Sequence, residues 1–214
     1  MDDGKKKKVE WLNHFVGFVS VVLGVLMAFW LNSWNESRKE SGSIETALQN
    51  IKNEIEKNLS GMDSIIAKNK RQRDMLEEYL EYIDEDMKVT VSKERFDPLV
   101  EKYVGYLSAD GTGVKINLEL FQLSEVAWVT THRTGILAAV DFELAFTLES
   151  TYDLQEKVNS FDDTIISELR NVSGKKDSFQ KIFRALDIEI NLATQLKERE
   201  YPKALKVINE QLVR

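Results

Sequence analysis

Seventeen consecutive residues without a charge, Phe15 to Leu31 (FVGFVSVVLGVLMAFWL), constrain this chain more than anything else in it. As a helix they rise about 25 Å, and counting from Trp11 to Trp34 extends the reach to roughly 36 Å, enough to bracket a hydrocarbon layer ~30 Å thick. The tryptophans at the two edges suit interfacial aromatic belts. A cleaved secretory signal has an apolar core of about 7–15 residues and a small-x-small cleavage site. Here the run is longer and leaves through Phe29, Trp30, Leu31 and Asn32. The buried core helix of a soluble protein is the other reading, but the rest of the chain is too polar to surround a helix that is apolar on every side. An uncleaved single span is therefore expected.

Orientation follows from the flanks. Lys5, Lys6, Lys7 and Lys8 precede the span, whereas Arg38 and Lys39 follow it among Glu36 and Glu40. By the positive-inside rule residues 1–10 form a short cytoplasmic tail, 11–34 the transmembrane helix, and 35–214 an extracytoplasmic, in a bacterium periplasmic, domain of a cytoplasmic-membrane protein. The complete absence of cysteine is compatible with that compartment and excludes disulfides, thiolate metal sites and cysteine nucleophiles. In a eukaryotic secretory pathway Asn35-Glu-Ser, Asn58-Leu-Ser and Asn171-Val-Ser would be glycosylation triplets. Within the span Gly17, Ser20, Gly24 and Ala28 place small side chains on one stripe, which lets helix backbones approach closely. The lipid bilayer is thus one expected partner, and a second copy or another membrane or envelope protein is the other. Trp11, Trp34, Asn32 and Asn35 are the expected interface anchors.

Beyond residue 35 the chain carries 25 Lys+Arg against 33 Asp+Glu, a balance that disfavours nucleic acid. Ile44, Leu48, Ile51, Ile55, Leu59, Met62, Ile65 and Ile66 keep helical spacing. The stripe weakens across Asn69, Lys70, Arg71, Gln72 and Arg73, predicting a bend or a solvated turn, and resumes at Met75, Leu76, Tyr79, Leu80 and Ile83. Ser41 or Ser43 can cap a start if this helix is separate from the span. Pro98 suits the first turn of a helix reaching about Leu107, and Ser108 to Gly113 is turn chemistry. A helix is expected over roughly Leu118–Arg133, burying Leu120, Phe121, Leu123, Val126, Ala127 and Trp128. Thr134-Gly135 interrupts it, Asp141 caps a long helix to Leu169, and a further helix runs from Phe179 to about Glu200. Pro202 restarts a short closing helix. No run of alternating strand pattern stands out. The expected fold is all-α: an antiparallel bundle of four or five helices behind one N-terminal transmembrane helix.

Chemistry is sparse. Gly174-Lys175-Lys176 lacks the partners of a phosphate loop, and Gly111-Thr112-Gly113 lacks the third glycine of a dinucleotide site. His14 lies at the cytoplasmic edge of the span. His132, in Thr130-Thr131-His132-Arg133-Thr134, reads as a helix-end cation, although a small-anion or pH role is the sharper alternative. Asp162-Asp163 and Asp84-Glu85-Asp86 read as solvated faces, because adjacent helical residues diverge by about 100° and no acidic-glycine loop frames them. No catalytic residue, metal or cofactor is expected.

Two stretches together resemble an uncharacterised family of short bacterial single-pass membrane proteins. Leu23 to Arg38 (LGVLMAFWLNSWNESR) is similar to that family's span ending Leu-Asn-x-Trp-Asn-Glu-x-Arg. Ala127-Trp128, Thr134-Gly135-Ile136-Leu137, Asp141, Leu144 and Tyr152 look like its later helical segment. A glutamine often precedes Leu-Asn in the family, where this chain has Trp30. The resemblance implies a single pass and a helical extracytoplasmic domain, and no activity. The expected function is a non-enzymatic binding or assembly module of the envelope. The alternative is a sensor-like input bundle that binds a small ligand and relies on a separate signalling subunit.

Overall fold

The computed structural model describes the backbone of residues 3–108 and 113–213, and the side chains of Phe15, 17–108 and 113–213. The side chains of Trp11 and His14 and the middle of the Ser108–Gly113 turn lie outside the described residues. The chain divides into two units, Met1–Thr46 and Ala47–Arg214. It is all-helical: α1 is Asp3–Glu81, α2 Lys93–Lys102, α3 Val126–Thr134, α4 Phe142–Arg170, α5 Lys176–Gln195 and α6 Tyr201–Leu212. No named strand occurs among the described residues.

Among the described residues of the first unit no apolar side chain is buried. Phe18, Leu26, Met27, Phe29 and Trp30 are each about 60–70% exposed. Among the described residues α1 is the one helix long and apolar enough to cross a membrane, and none of its most apolar stretch is buried. A core helix of a soluble protein would be covered, so that reading fails here. The hydroxyls of Ser41, Ser43 and Thr46 donate to the carbonyls of Ser37, Lys39 and Gly42, four residues back. That is mid-helix behaviour, and no new helix is capped at this point.

In the second unit, part of α1 supplies Leu48, Ile51, Ile55, Met62, Ile66, Met75, Leu76 and Tyr79 to the core. At 69–73, where a bend or a solvated turn was expected, Lys70 and Arg71 are exposed but the inner face is covered. Asn69 and Gln72 occupy core positions and are 1% and 0% exposed.

Contacts set the helix directions. Glu54 meets Tyr152 and Asn58 meets Gln155, so α1 and α4 run parallel. Lys52 meets Asn209, Asp63 meets Lys197 and Arg73 meets Asp187, so α5 and α6 run opposite to α1. The bundle contains a parallel pair, α1 and α4, where an antiparallel bundle of four or five helices was expected. Residues 82–141 between α1 and α4 are long enough to return the chain to the end where it started.

Along that crossover α2 covers one end of the bundle. Phe96, Leu99 and Tyr103 pack on Met75, Leu76, Tyr79, Phe179 and Ile182, with Tyr79 and Tyr82 meeting the Phe96 ring edge-on. Pro98 lies inside α2, not in its first turn. Its missing N–H frees only the carbonyl of exposed Glu94, which water can reach.

Near the C-terminus the chain does not break and restart at Pro202. Helical backbone continues from Lys176 to Leu212 through a π turn, Leu196–Glu200, in which the Tyr201 N–H donates to the Leu196 carbonyl. A proline ring clashes with the carbonyl four residues back, and widening the preceding turn relieves the clash.

Asp141 caps α4 as expected, its Oδ1 accepting the Glu143 N–H at 2.8 Å. Asp141→Ala should cost about 1 kcal/mol in urea unfolding of the full chain, the typical loss for an N-cap aspartate.

Candidate binding groove

The expected helix over 118–133 forms only from Val126 onward. Residues 115–125 instead lie as a non-helical strap along α1 and α4, with Phe121 and Leu123 buried and Gln122 exposed between them. A partly buried strap without helix or sheet partners must satisfy its covered peptide groups elsewhere. Side chains of the two helices do so.

From α1, Gln72 accepts the Asn117 N–H at 2.8 Å. Asn69 accepts the Glu119 N–H at 3.0 Å and donates to the Glu119 carbonyl at 2.8 Å. Asn58 pairs in the same two-way manner with the N–H and carbonyl of Ser124, at 3.0 and 2.9 Å. From α4, Asn159 pairs with both groups of Leu123, at 3.0 and 2.9 Å. The Asp162 carboxylate accepts the N–H groups of Phe121 and Gln122, each at 3.2 Å. An Asn side chain presents the same donor and acceptor as a peptide unit, so these amides act as detached pieces of a neighbouring strand.

Glu54 terminates the ladder. Its carboxylate accepts the Ser124 hydroxyl and the Ala127 N–H at 2.9 Å, the Trp128 N–H at 3.4 Å, and the Tyr152 hydroxyl at 2.8 Å. A negative side chain at the start of α3 complements its free N–H groups. Trp128 then stacks flat on Tyr152, centroids 4.8 Å apart. Burial, followed by the Glu54 charge and hydrogen bond, pushes the Tyr152 phenol far above its ordinary range. Below this, Tyr201 of α6 donates to Gln155 Oε1 at 2.7 Å, and the Gln155 amide donates to the Ser124 carbonyl at 2.9 Å. Strap, α1, α4 and α6 are thereby joined in one polar network.

Glu189 of α5 sits against Asp162 and is 1% exposed. Burial first, then the hydrogen bond to Asp162 and its charge, push this carboxyl up to about 9. It stands beside the carboxyl group that holds the strap.

The sequence-designated residues fall elsewhere. Gly17, Ser20, Gly24 and Ala28 are exposed on α1, and a Cβ added at Gly17 or Gly24 meets nothing within 4 Å. Trp34 stacks on Trp30 with centroids 6.0 Å apart, Arg38 lies over the Trp34 ring at 5.5 Å, and Asn32 donates to Glu36 at 3.0 Å. Asn35 is exposed. These residues lie together along one stretch of helix. His132 is exposed beside Trp128, their rings 5.7 Å apart. Asp84 Oδ1 accepts the N–H groups of Asp86 and Lys88, which makes that cluster a turn. Among the described residues no group of three or more His, Cys, Asp or Glu is placed to hold a metal.

Two sequence readings are corrected. Asp162 is not on a solvated face; it is 6% exposed and bonded to the strap, while Asp163 is exposed. Asn58, a glycosylation triplet by sequence, is 9% exposed and fully engaged, so a glycan there is incompatible with this fold. None of the groove residues Asn58, Asn69, Gln72, Gln155 and Asn159 was expected to hold a strap. The clue was present: amides occupying apolar-stripe positions, and the alternation Ile116, Leu118, Leu120 followed by Phe121, Leu123.

The N-terminal part of the chain is similar to a family of unknown function, DUF6090, whose model matches residues 17–102. The match takes in the Leu23–Arg38 motif and ends at the close of α2, short of the strap, α3 and α4. A comparison with curated proteins gives no match, nor does one with solved structures.

Two variants test the groove. Asn69→Leu leaves the Glu119 N–H and carbonyl without their partner and should cost roughly 1–3 kcal/mol in urea unfolding. Glu189, ordinarily near 4.5 but raised to about 9 here, holds a proton in the folded chain that the unfolded chain lacks between those values. Its contribution is full below pH 4.5 and falls as pH rises through 9. Glu189→Gln should flatten that decline; an unchanged slope would mean Glu189 is ionised when folded.

Proposed function

We propose that this protein is a membrane-anchored envelope module that binds or assembles and does not catalyse. Residues 11–34 span the cytoplasmic membrane once, residues 1–10 stay in the cytoplasm, and residues 35–214 stand outside. The observation that carries the reading is the wholly uncovered apolar helix in the first unit, bounded on one side by the Trp30, Trp34 and Arg38 stack. Such a surface is stable in lipid and aggregates in water. The similarity to a family of unknown function adds no activity to this.

The assembly half of the proposal has its support in the acids. Glu54 and Asp162, two of the three acids buried among the described residues, are committed to backbone N–H groups, and the third, Glu189, lies 1% exposed against Asp162. A partner within the membrane would use the small stripe at Gly17, Ser20, Gly24 and Ala28. A side chain at Gly24 meets nothing in a single chain, so its enlargement is a clean probe of association.

Protease added to spheroplasts should digest the bundle and leave a short membrane-embedded fragment. Full protection, or a mature chain beginning beyond Asn32, would contradict the topology. Gly24→Ile should weaken self- or hetero-association by about 1–2 kcal/mol, read by crosslinking in the membrane, if the stripe packs against a second helix. Undiminished crosslinking would remove the stripe from the account.

A further inference from the structure

The groove between α1 and α4 reads polypeptide backbone, and three features show that its resident strap is an imperfect occupant. First, Asn58, Asn69, Asn159 and Asp162 bond only N–H and C=O groups of the strap, which any non-proline sequence supplies. Strap side chains contribute through Phe121 and Leu123, two residues apart, together with the Ser124 hydroxyl that donates to Glu54 and the Glu119 carboxylate that pairs with Lys68. Second, Gln122 sits at φ 44°, in the left-handed region that glycine or asparagine enters more easily. Third, Gln72 is completely buried and accepts the Asn117 N–H, yet its own amide nitrogen has no partner. Where Asn58, Asn69 and Asn159 each make both bonds of a two-way clamp, Gln72 makes one. The groove offers a donor that the strap does not use.

We propose that this groove is a docking site for an extended segment of a partner polypeptide, which displaces residues 117–125 and is recognised through its backbone. The segment carries two apolar side chains at two-residue spacing, seated where Phe121 and Leu123 now lie, with glycine or asparagine between them. It also presents a carbonyl to the Gln72 amide. The site rests on the binding-module reading of the preceding section and names the class of partner. Because peptide groups are common to all sequences, the clamps supply affinity and the apolar pair supplies selectivity, as in strand-addition recognition.

The test uses the full chain in mild detergent and a fluorescein-labelled peptide of residues 115–125 carrying Gln122→Gly. In the protein, Phe121→Ala with Leu123→Ala loosens the resident strap and leaves the clamps intact. The peptide should bind this variant saturably and at least about tenfold more tightly than the wild type, since the competing strap has lost its apolar hold. N-methylation of the peptide at the Leu123 position removes the proton that Asn159 accepts and should weaken binding at least about tenfold. Exchanging the exposed Asn117 for another polar residue should change little. Circular dichroism establishes that the bundle of the variant is folded. If it is not, the wild-type chain with excess peptide serves instead, with accelerated hydrogen exchange of its own Phe121 and Leu123 amides as the expected result.

A folded chain that does not bind the peptide, or binds the N-methylated form equally well, overturns the proposal. A groove-dependent dimer of the variant without peptide binding would assign the groove to a second copy of this chain and also overturn it. These results leave the membrane topology standing, whereas protection of the bundle from protease would remove the topology and not the groove.

Discussion

A peptide unit removed from water has to find its hydrogen bonds again, and the rest of this structure is arranged around that demand at residues 117–125. The chain there has neither a helix nor a sheet to join. Asn58 and Asn69 of α1, with Asn159 and Asp162 of α4, supply the missing donors and acceptors. Their partners are far apart in sequence, so the strap cannot be satisfied until α1 and α4 lie side by side. That requirement couples the parallel helix pair to the crossover that connects it.

The polar interior also accounts for the arrangement of charge. A carboxylate deep in a bundle is tolerated when its lone pairs are filled, and Glu54 fills its own with two N–H groups and two hydroxyls. Asp162 takes two strap N–H groups, and burial together with Asp162 raises the neighbouring Glu189 carboxyl to about 9. The opposite end of the bundle has a different solution: Tyr79, Phe96, Tyr103 and Phe179 close an apolar cluster, and Glu78 ties down Lys102 at 2.5 Å and the Tyr103 hydroxyl at 2.8 Å.

Much of the fold was legible because helices announce themselves by period. The apolar span, the α4 cap at Asp141 and the stripes of α4 and α5 all follow from spacing and capping chemistry. The groove was hidden for the same reason. Asn69 and Gln72 look like a solvated interruption when judged by polarity, yet they keep the helical phase of Met62 and Ile66 and therefore face inward. Ile116 to Leu123 looks like a helix by its apolar content, whereas its two-residue alternation, shifted by one place at Phe121, marks extended chain. Neither segment can be interpreted alone, since the amides are core residues only because the strap lies over them. Pro98 and Pro202 mislead in a related way: each was read as a boundary, and each is absorbed inside continuous helix by an exposed carbonyl or a wider turn.

Side-chain amides and carboxylates, in place of a sheet, satisfy the peptide groups of the strap. Native-state hydrogen exchange of the Phe121, Leu123 and Ser124 amides measures this directly. The account predicts protection well above that of an unstructured loop and below that of the α4 amides at Leu148 and Val158, with Asn159→Ala selectively accelerating Leu123. Exchange of all three at the rate of an unstructured loop, while α4 stays protected, would contradict it.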